Sequence, residues 1–210
     1  MPETATGEYD VVVVGAGFSG LCMLHRFLAD GLTVRAFESG PDVGGAWYWN
    51  RYPGARCDVE SSDYSFSFDD DLQQEWRWTE RYAAQPEILA YLRHVTDRFG
   101  LRPHITFDTT VSAVLYDAEH ARWTVRTAIG DEVTARFCVM ATGCLSVPKE
   151  LEIPGLADFR GPIYHTARWP GSAVDFSDSR VGVVGTGSSG VQVIPAIAEQ
   201  AKHALLCFAF

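Results

Sequence analysis

Two hundred and ten residues fit one large domain or two small ones, and a 47% apolar composition can fill a packed core. Charged residues at 21% and aromatics at 12% exclude intrinsic disorder, and a formal net charge of −10 argues against DNA or RNA as the main partner. No apolar stretch approaches the ~20 residues of a membrane helix, and the first ten residues are acidic and polar with no leader pattern, so the chain reads as cytoplasmic.

Residues 11–14 are a β-branched run of the kind buried in parallel sheets. Gly15-Ala16-Gly17-Phe18-Ser19-Gly20 follows at once. A helix over 21–30 then sets Leu21, Leu24, Phe27 and Leu28 at helical spacing, with Gly31 as its stop signal. Residues 33–38 read as a second strand, completing a βαβ unit. From 39 to 81 the pattern is irregular and rich in Gly, aromatics and Asp; a loop this long points to function.

An amphipathic helix is predicted over 86–99, with Ile88, Leu89, Leu92, Val95 and Phe99 on one face. Strands follow at 105–107, 111–116, 123–127 and 133–141, the last two joined by a turn at Gly130-Asp131. A Pro- and Gly-rich connection fills 147–171. A second strand–turn–helix begins at 180–184 with Gly185-Thr186-Gly187-Ser188-Ser189-Gly190, a helix to about 202, and a strand over 204–210.

A lone G-x-G-x-x-G is weak evidence, but here each copy follows a strand and opens a helix. Gly15 permits the tight turn, Gly17 lets backbone approach a pyrophosphate, and Gly20 lets helix pack close to strand. The exposed helix N-terminus offers N–H groups and a positive dipole end to phosphates. Glu38 ends the second strand, where a carboxylate can accept ribose hydroxyls. Gly185, Gly187 and Gly190 repeat the arrangement, so the chain is expected to grip two nucleotides.

The five cysteines are odd in number and lack C-x-x-C spacing, and the six histidines include no H-x-x-x-H pair. A disulfide scaffold, a disulfide reductase and a metal site are therefore not expected.

Two further segments carry a resemblance. Residues 159–170, Phe159-Arg160-Gly161-Pro162-Ile163-Tyr164-His165-Thr166-Ala167-Arg168-Trp169-Pro170, match F-x-G-x-x-x-H-x-x-x-W-P, the fingerprint of Baeyer–Villiger monooxygenases. Residues 44–61, from Gly44-Gly45-Ala46-Trp47 through Arg56-Cys57-Asp58 to Ser61, resemble the flavin-side loop of the same family. Nearly the whole chain is similar to the N-terminal part of such an enzyme, in the phenylacetone and steroid monooxygenase branch.

The resemblance implies an α/β fold: a Rossmann-like FAD-binding domain with a β-meander (1–145, incomplete), a motif-bearing linker (146–179) and the truncated start of a Rossmann-like NADP-binding domain (180–210). It implies FAD and NADPH as cofactors, a small-molecule ketone and O2 as partners, and insertion of one oxygen to give an ester or lactone. FAD would be held by Gly15, Gly17, Ser19, Gly20, Glu38, Gly45, Trp47, Asp58, Tyr64 and Val111. NADP would be held by Arg56, Cys57 and Asp58 and by Gly185, Thr186, Gly187, Ser188, Ser189 and Gly190.

Asp58 is the implied catalytic residue, paired with an arginine that stabilises an oxygen anion. Phe159, Gly161, His165, Trp169 and Pro170 are motif residues that orient the linker, with His165 not a general base. Bland readings stand beside these: Trp47 and Trp49 as core aromatics, Asp58 in an Asx-turn, His165 as a satisfied core histidine.

A heteroatom-oxidising flavin monooxygenase shares both cradles but usually lacks the Trp169-Pro170 ending, and a non-catalytic FAD-binding remnant is a third reading. The strand over 204–210 should be followed by the basic residues that read a 2′-phosphate, by the catalytic arginine and by the segment completing the FAD domain. The chain therefore reads as a truncated or frameshifted copy or a fragment. Leu205, Leu206, Phe208 and Phe210 on an unpaired edge predict poor solubility or weak FAD binding.

Overall fold

A run of four valines puts β1 (Gly7–Val14) at the heart of a six-stranded sheet, with Val11, Val12 and Val13 wholly buried. The computed structural model describes residues 7–145, 147–149 and 152–207. β2 (Val34–Phe37) pairs parallel with β1 from Val11 opposite Val34 to Val14 opposite Phe37. β3 (Ile105–Thr106) adds in parallel beyond β2.

On the other side β6 (Glu132–Met140) runs parallel to β1, and β5 (Arg122–Thr127) and β4 (Val111–Asp117) continue antiparallel, giving the order β3-β2-β1-β6-β5-β4. Val12, Val14, Phe37, Val125, Val133 and Ala135 form one core cluster of the sheet, with Tyr9, Val111, Val114 and Cys138 packed against them. The meander thus seals one end of the parallel sheet, as the alternation of apolar residues predicts.

α1 (Phe18–Ala29) buries Gly20, Leu21 and Leu24 and stops where Gly31 turns with φ of 77°. The helix predicted over 86–99 is α4 (Gln85–Arg98). The chain divides into two compact units: residues up to Tyr48 with Leu89–Cys144, and Trp49–Ile88 with the residues from Leu145 on. Segment 49–88 falls in the second of these units.

In that second unit β7 (Arg180–Val184), α5 (Ser188–Ala198) and β8 (His203–Cys207) form a βαβ unit whose strands pair parallel, Arg180 opposite His203. Tyr52, Ala55, Phe176, Val193 and Ile197 are its buried cluster, with Trp169 packed against it.

Three expectations need adjustment. α5 ends at Ala198, four residues short of the expected end, because Gln200 and Ala201 turn back to donate to the Ile197 carbonyl. The strand predicted over 105–107 stops at Thr106.

The stretch 39–81 also holds more order than its pattern suggests: α2 (Ala46–Trp49), a 3-10 turn at Ser61–Tyr64 and α3 (Asp70–Glu75). α3 is capped by Asp69, whose carboxylate accepts the Leu72 N–H at 2.7 Å, and buries only Leu72, too short a face to show periodicity. The apolar chain end expected on Phe208 and Phe210, and the side chains of Leu205 and Leu206, lie outside the described residues. Among the described residues no helix is long and apolar enough to cross a membrane.

Candidate functional site

The first glycine turn joins β1 to α1. Gly15 has φ of 104°, a conformation open to glycine, and a Cβ on Gly20 would overlap the Gly15 carbonyl oxygen, so strand and helix meet through bare backbone. Gly17 is the N-cap of α1 and no side chain caps that end. First-turn N–H groups at Ser19, which is exposed, and Gly20 are thus left for an anion, whereas α3 satisfies its own end with Asp69.

Glu38 is buried, 4% exposed, and its carboxylate bridges two loops. Its Oε2 accepts the Ala16 N–H at 2.7 Å, and its Oε1 accepts the Gly40 N–H at 2.8 Å and the Ser39 hydroxyl at 3.2 Å. Oε2 is the freer oxygen for a ribose hydroxyl.

Gly44 and Gly45 close over this turn. The Gly44 N–H donates to the Ala16 carbonyl at 3.0 Å, and Gly45, with φ of 52°, lies against the Gly17 backbone. Trp47 follows in α2, half-buried, and its N–H donates to the Gly44 carbonyl. Val111 begins β4 with its side chain against the sheet core.

The second turn repeats the first. Gly185 has φ of 115°, a Cβ on Gly190 would overlap the Gly185 carbonyl oxygen, and α5 starts from an N-cap glycine, Gly187, with no side-chain cap. Thr186, Gly187 and Ser188 are exposed, and Ser189 is half-buried. Gly187 has φ of −74°, and a Cβ there, as at Gly185, would meet nothing within 4 Å. No internal packing or backbone strain requires glycine at that position.

Arg56, Cys57, Asp58 and Tyr64 lie in the second unit with the second turn. Cys57 is buried, its N–H donating to the Ala83 carbonyl, and Asp58 is exposed. Burial pushes the Tyr64 phenol above its ordinary value, aided by the nearby Asp58 carboxylate. The sequence reading missed the residue that gathers this loop, Gln192 of α5, whose amide bonds Tyr52, Arg56 and Asp58. The available signal was one amide in the otherwise apolar run 191–198.

In the 159–170 segment the Phe159 ring folds over Gly161, where a Cβ would lie 2.8 Å from it. His165 caps the 3-10 turn Thr166–Arg168 by accepting the Ala167 N–H on Nδ1 at 3.1 Å, which occupies that nitrogen. Trp169 packs at a tilt against Tyr164 and Phe176, and Pro170 follows half-buried.

Residues 8–209 match the family described as FMO-like: flavin-binding monooxygenase-like. The chain belongs to this family. A Baeyer–Villiger monooxygenase of Pseudooceanicola batsensis is 47% identical over 202 residues, covering 96% of this chain and 37% of that protein. A phenazine N-monooxygenase of Lysobacter antibioticus is 46% identical over 197 residues, covering 93% of this chain and 36% of that protein. A solved structure of oxidized steroid monooxygenase bound to NADP superposes with a TM-score of 0.90 at 63% identity, covering 95% of this chain and 38% of that one. The chain thus spans little more than a third of the length of the relatives it matches, and its α/β architecture is theirs over that third.

Proposed function

We propose that the chain is the N-terminal part of an FAD- and NADPH-dependent Baeyer–Villiger monooxygenase, inserting one oxygen atom of O2 into a ketone to give an ester or lactone. The observation that carries this reading is the repeated cradle: α1 and α5 each start from an N-cap glycine, Gly17 and Gly187, that no side chain caps, after a strand and a positive-φ glycine.

The residues present fit both dinucleotides. Gly15, Gly17, Ser19 and Gly20 would hold the FAD pyrophosphate, with Glu38 on the ribose; Gly185 to Gly190 would hold the pyrophosphate of NADPH. When bound, the flavin accepts hydride from the nicotinamide and activates O2. The chain's own part is to grip phosphates with backbone N–H groups, to fix Glu38 by three donated hydrogen bonds, and to present the Asp58 carboxylate as an electrostatic partner for a cation. A cytoplasmic setting suits a chain whose cysteine spacing suggests no disulfide framework.

Heteroatom oxidation is the second reading, favoured by the likeness to a phenazine N-monooxygenase. The test is product analysis of the protein that carries this chain, supplied with NADPH and O2 and offered a cyclic ketone or a thioether. Lactone from the ketone supports the proposal, and sulfoxide with no lactone favours the alternative. Bound flavin without NADPH-dependent oxygen uptake would leave a nucleotide-binding remnant.

A further inference from the structure

The loop Tyr52–Asp58 is fastened to α5 in three independent ways. Tyr52 and Ala55 are buried with Val193 and Ile197. Gly54, at φ of 80°, sits so close to α5 that a Cβ would overlap the Gln192 carbonyl oxygen and touch Ala196. The Gln192 side chain then uses every hydrogen-bonding position of its amide. Its Oε1 accepts the Tyr52 hydroxyl at 2.9 Å and the Arg56 N–H at 3.2 Å. Its Nε2 donates to the Arg56 carbonyl at 3.1 Å and to Asp58 Oδ1 at 2.9 Å. One obligate donor, the Arg56 N–H, on one side and two obligate acceptors, the Arg56 carbonyl and the Asp58 carboxylate, on the other leave a single orientation for the amide, which the Tyr52 hydroxyl then joins as a donor.

We propose that Gln192 is a positioning residue that fixes the Asp58 carboxylate to the helix closing the second phosphate cradle, so that loop 52–58 and α5 respond to a bound dinucleotide as one body. This rests on the reading of that cradle as a dinucleotide site and of Asp58 as the functional carboxylate. Gln192 lies five residues, about one and a half turns, beyond the N-cap Gly187, and the path from the cradle to Asp58 is therefore that stretch of helix and one amide. A coupling this short is carried by a rigid element.

The test reads tryptic cleavage after Arg56 in the folded, flavin-loaded protein that carries this chain, with folding checked by circular dichroism. Gln192→Met, which removes all four bonds, and Gln192→Glu, which sets a carboxylate against Asp58, should each speed cleavage at least about tenfold. Asp58→Asn should restore most of the protection in the Gln192→Glu background, because an amide introduced at position 58 can donate to the carboxylate introduced at position 192, and should restore none in Gln192→Met. A clasp that served only the loop backbone would show no such exchange, so cleavage of Gln192→Glu at the unmutated rate, or failure of Asp58→Asn to rescue it, overturns the proposal.

Saturating NADPH should slow the same cleavage at least about threefold in the unmutated protein and leave Gln192→Met unchanged. Equal protection of both would mean direct shielding by the nucleotide and would overturn the coupling. Absence of NADPH binding to the unmutated protein would instead sink the cradle reading, and the cleavage series without nucleotide would still decide the Asp58 contact.

Discussion

Gly45 lies on Gly17 backbone to backbone: a Cβ added to Gly45 would be 2.9 Å from the Gly17 Cα. The glycine doublet after β2 is thus the lid of the first turn, held by the Gly44 N–H on the Ala16 carbonyl. Gly45→Ala meets both this overlap and a φ of 52°, so it should cost about 1–3 kcal/mol and lower the melting temperature by several degrees. Flavin content after gel filtration should fall with it. A variant that keeps both its melting temperature and its flavin would show that the doublet does not close on the turn.

The loop carrying Arg56, Cys57 and Asp58 makes a similar demand at Gly54. Gly54→Ala, forced into φ of 80° against the Gln192 carbonyl, should destabilise by about 1–3 kcal/mol. Gly171→Ala, where a Cβ meets nothing within 4 Å, should fall within about 0.5 kcal/mol of the unmutated protein. Chemical denaturation of the two variants side by side checks the contrast.

Asp42 ties the loop after β2 to two cations, Arg93 Nε at 2.7 Å and Arg102 Nη1 at 3.0 Å. Burial opposes its charge, but the Val43 N–H and the two guanidinium groups outweigh that and hold the carboxyl below its ordinary 3.8. A depressed folded value means the stabilisation is present above the unfolded value and is lost as pH falls through the folded one. Asp42→Asn should therefore cost about 1 kcal/mol at about pH 6, the guanidinium groups being partly exposed, and progressively less under acid. Denaturation midpoints measured from about pH 2 to about pH 6 read this, and a cost that stays constant with pH would contradict it.

Local signals made much of this fold legible. The valine run, the positive-φ glycines at 15 and 185, and the alternation in the meander each act over a few residues, and β1, β2, β6 and β7 lie where they are expected. The site was legible as far as it is made of backbone turns. What the sequence did not disclose is long-range: Gln192 meets Tyr52 across 140 positions, and neither residue carries a local mark of the other. Nor does periodicity announce that 49–88 keeps company with the residues beyond Leu145, since Tyr52 and Ala55 become apolar partners of Phe176 and Val193 only in three dimensions. α3 escaped notice because one buried leucine makes no pattern.

The two-cradle account stands most directly on Gly187. Equilibrium titration of the flavin-saturated protein with NADPH, unmutated and as Gly187→Ala, tests it. At φ of −74° with open space around the new methyl group, the variant should melt within about 2 °C of the parent, yet bind NADPH at least about tenfold more weakly because the methyl fills phosphate space. Equal affinity in two equally stable proteins would mean that no dinucleotide reaches that helix tip.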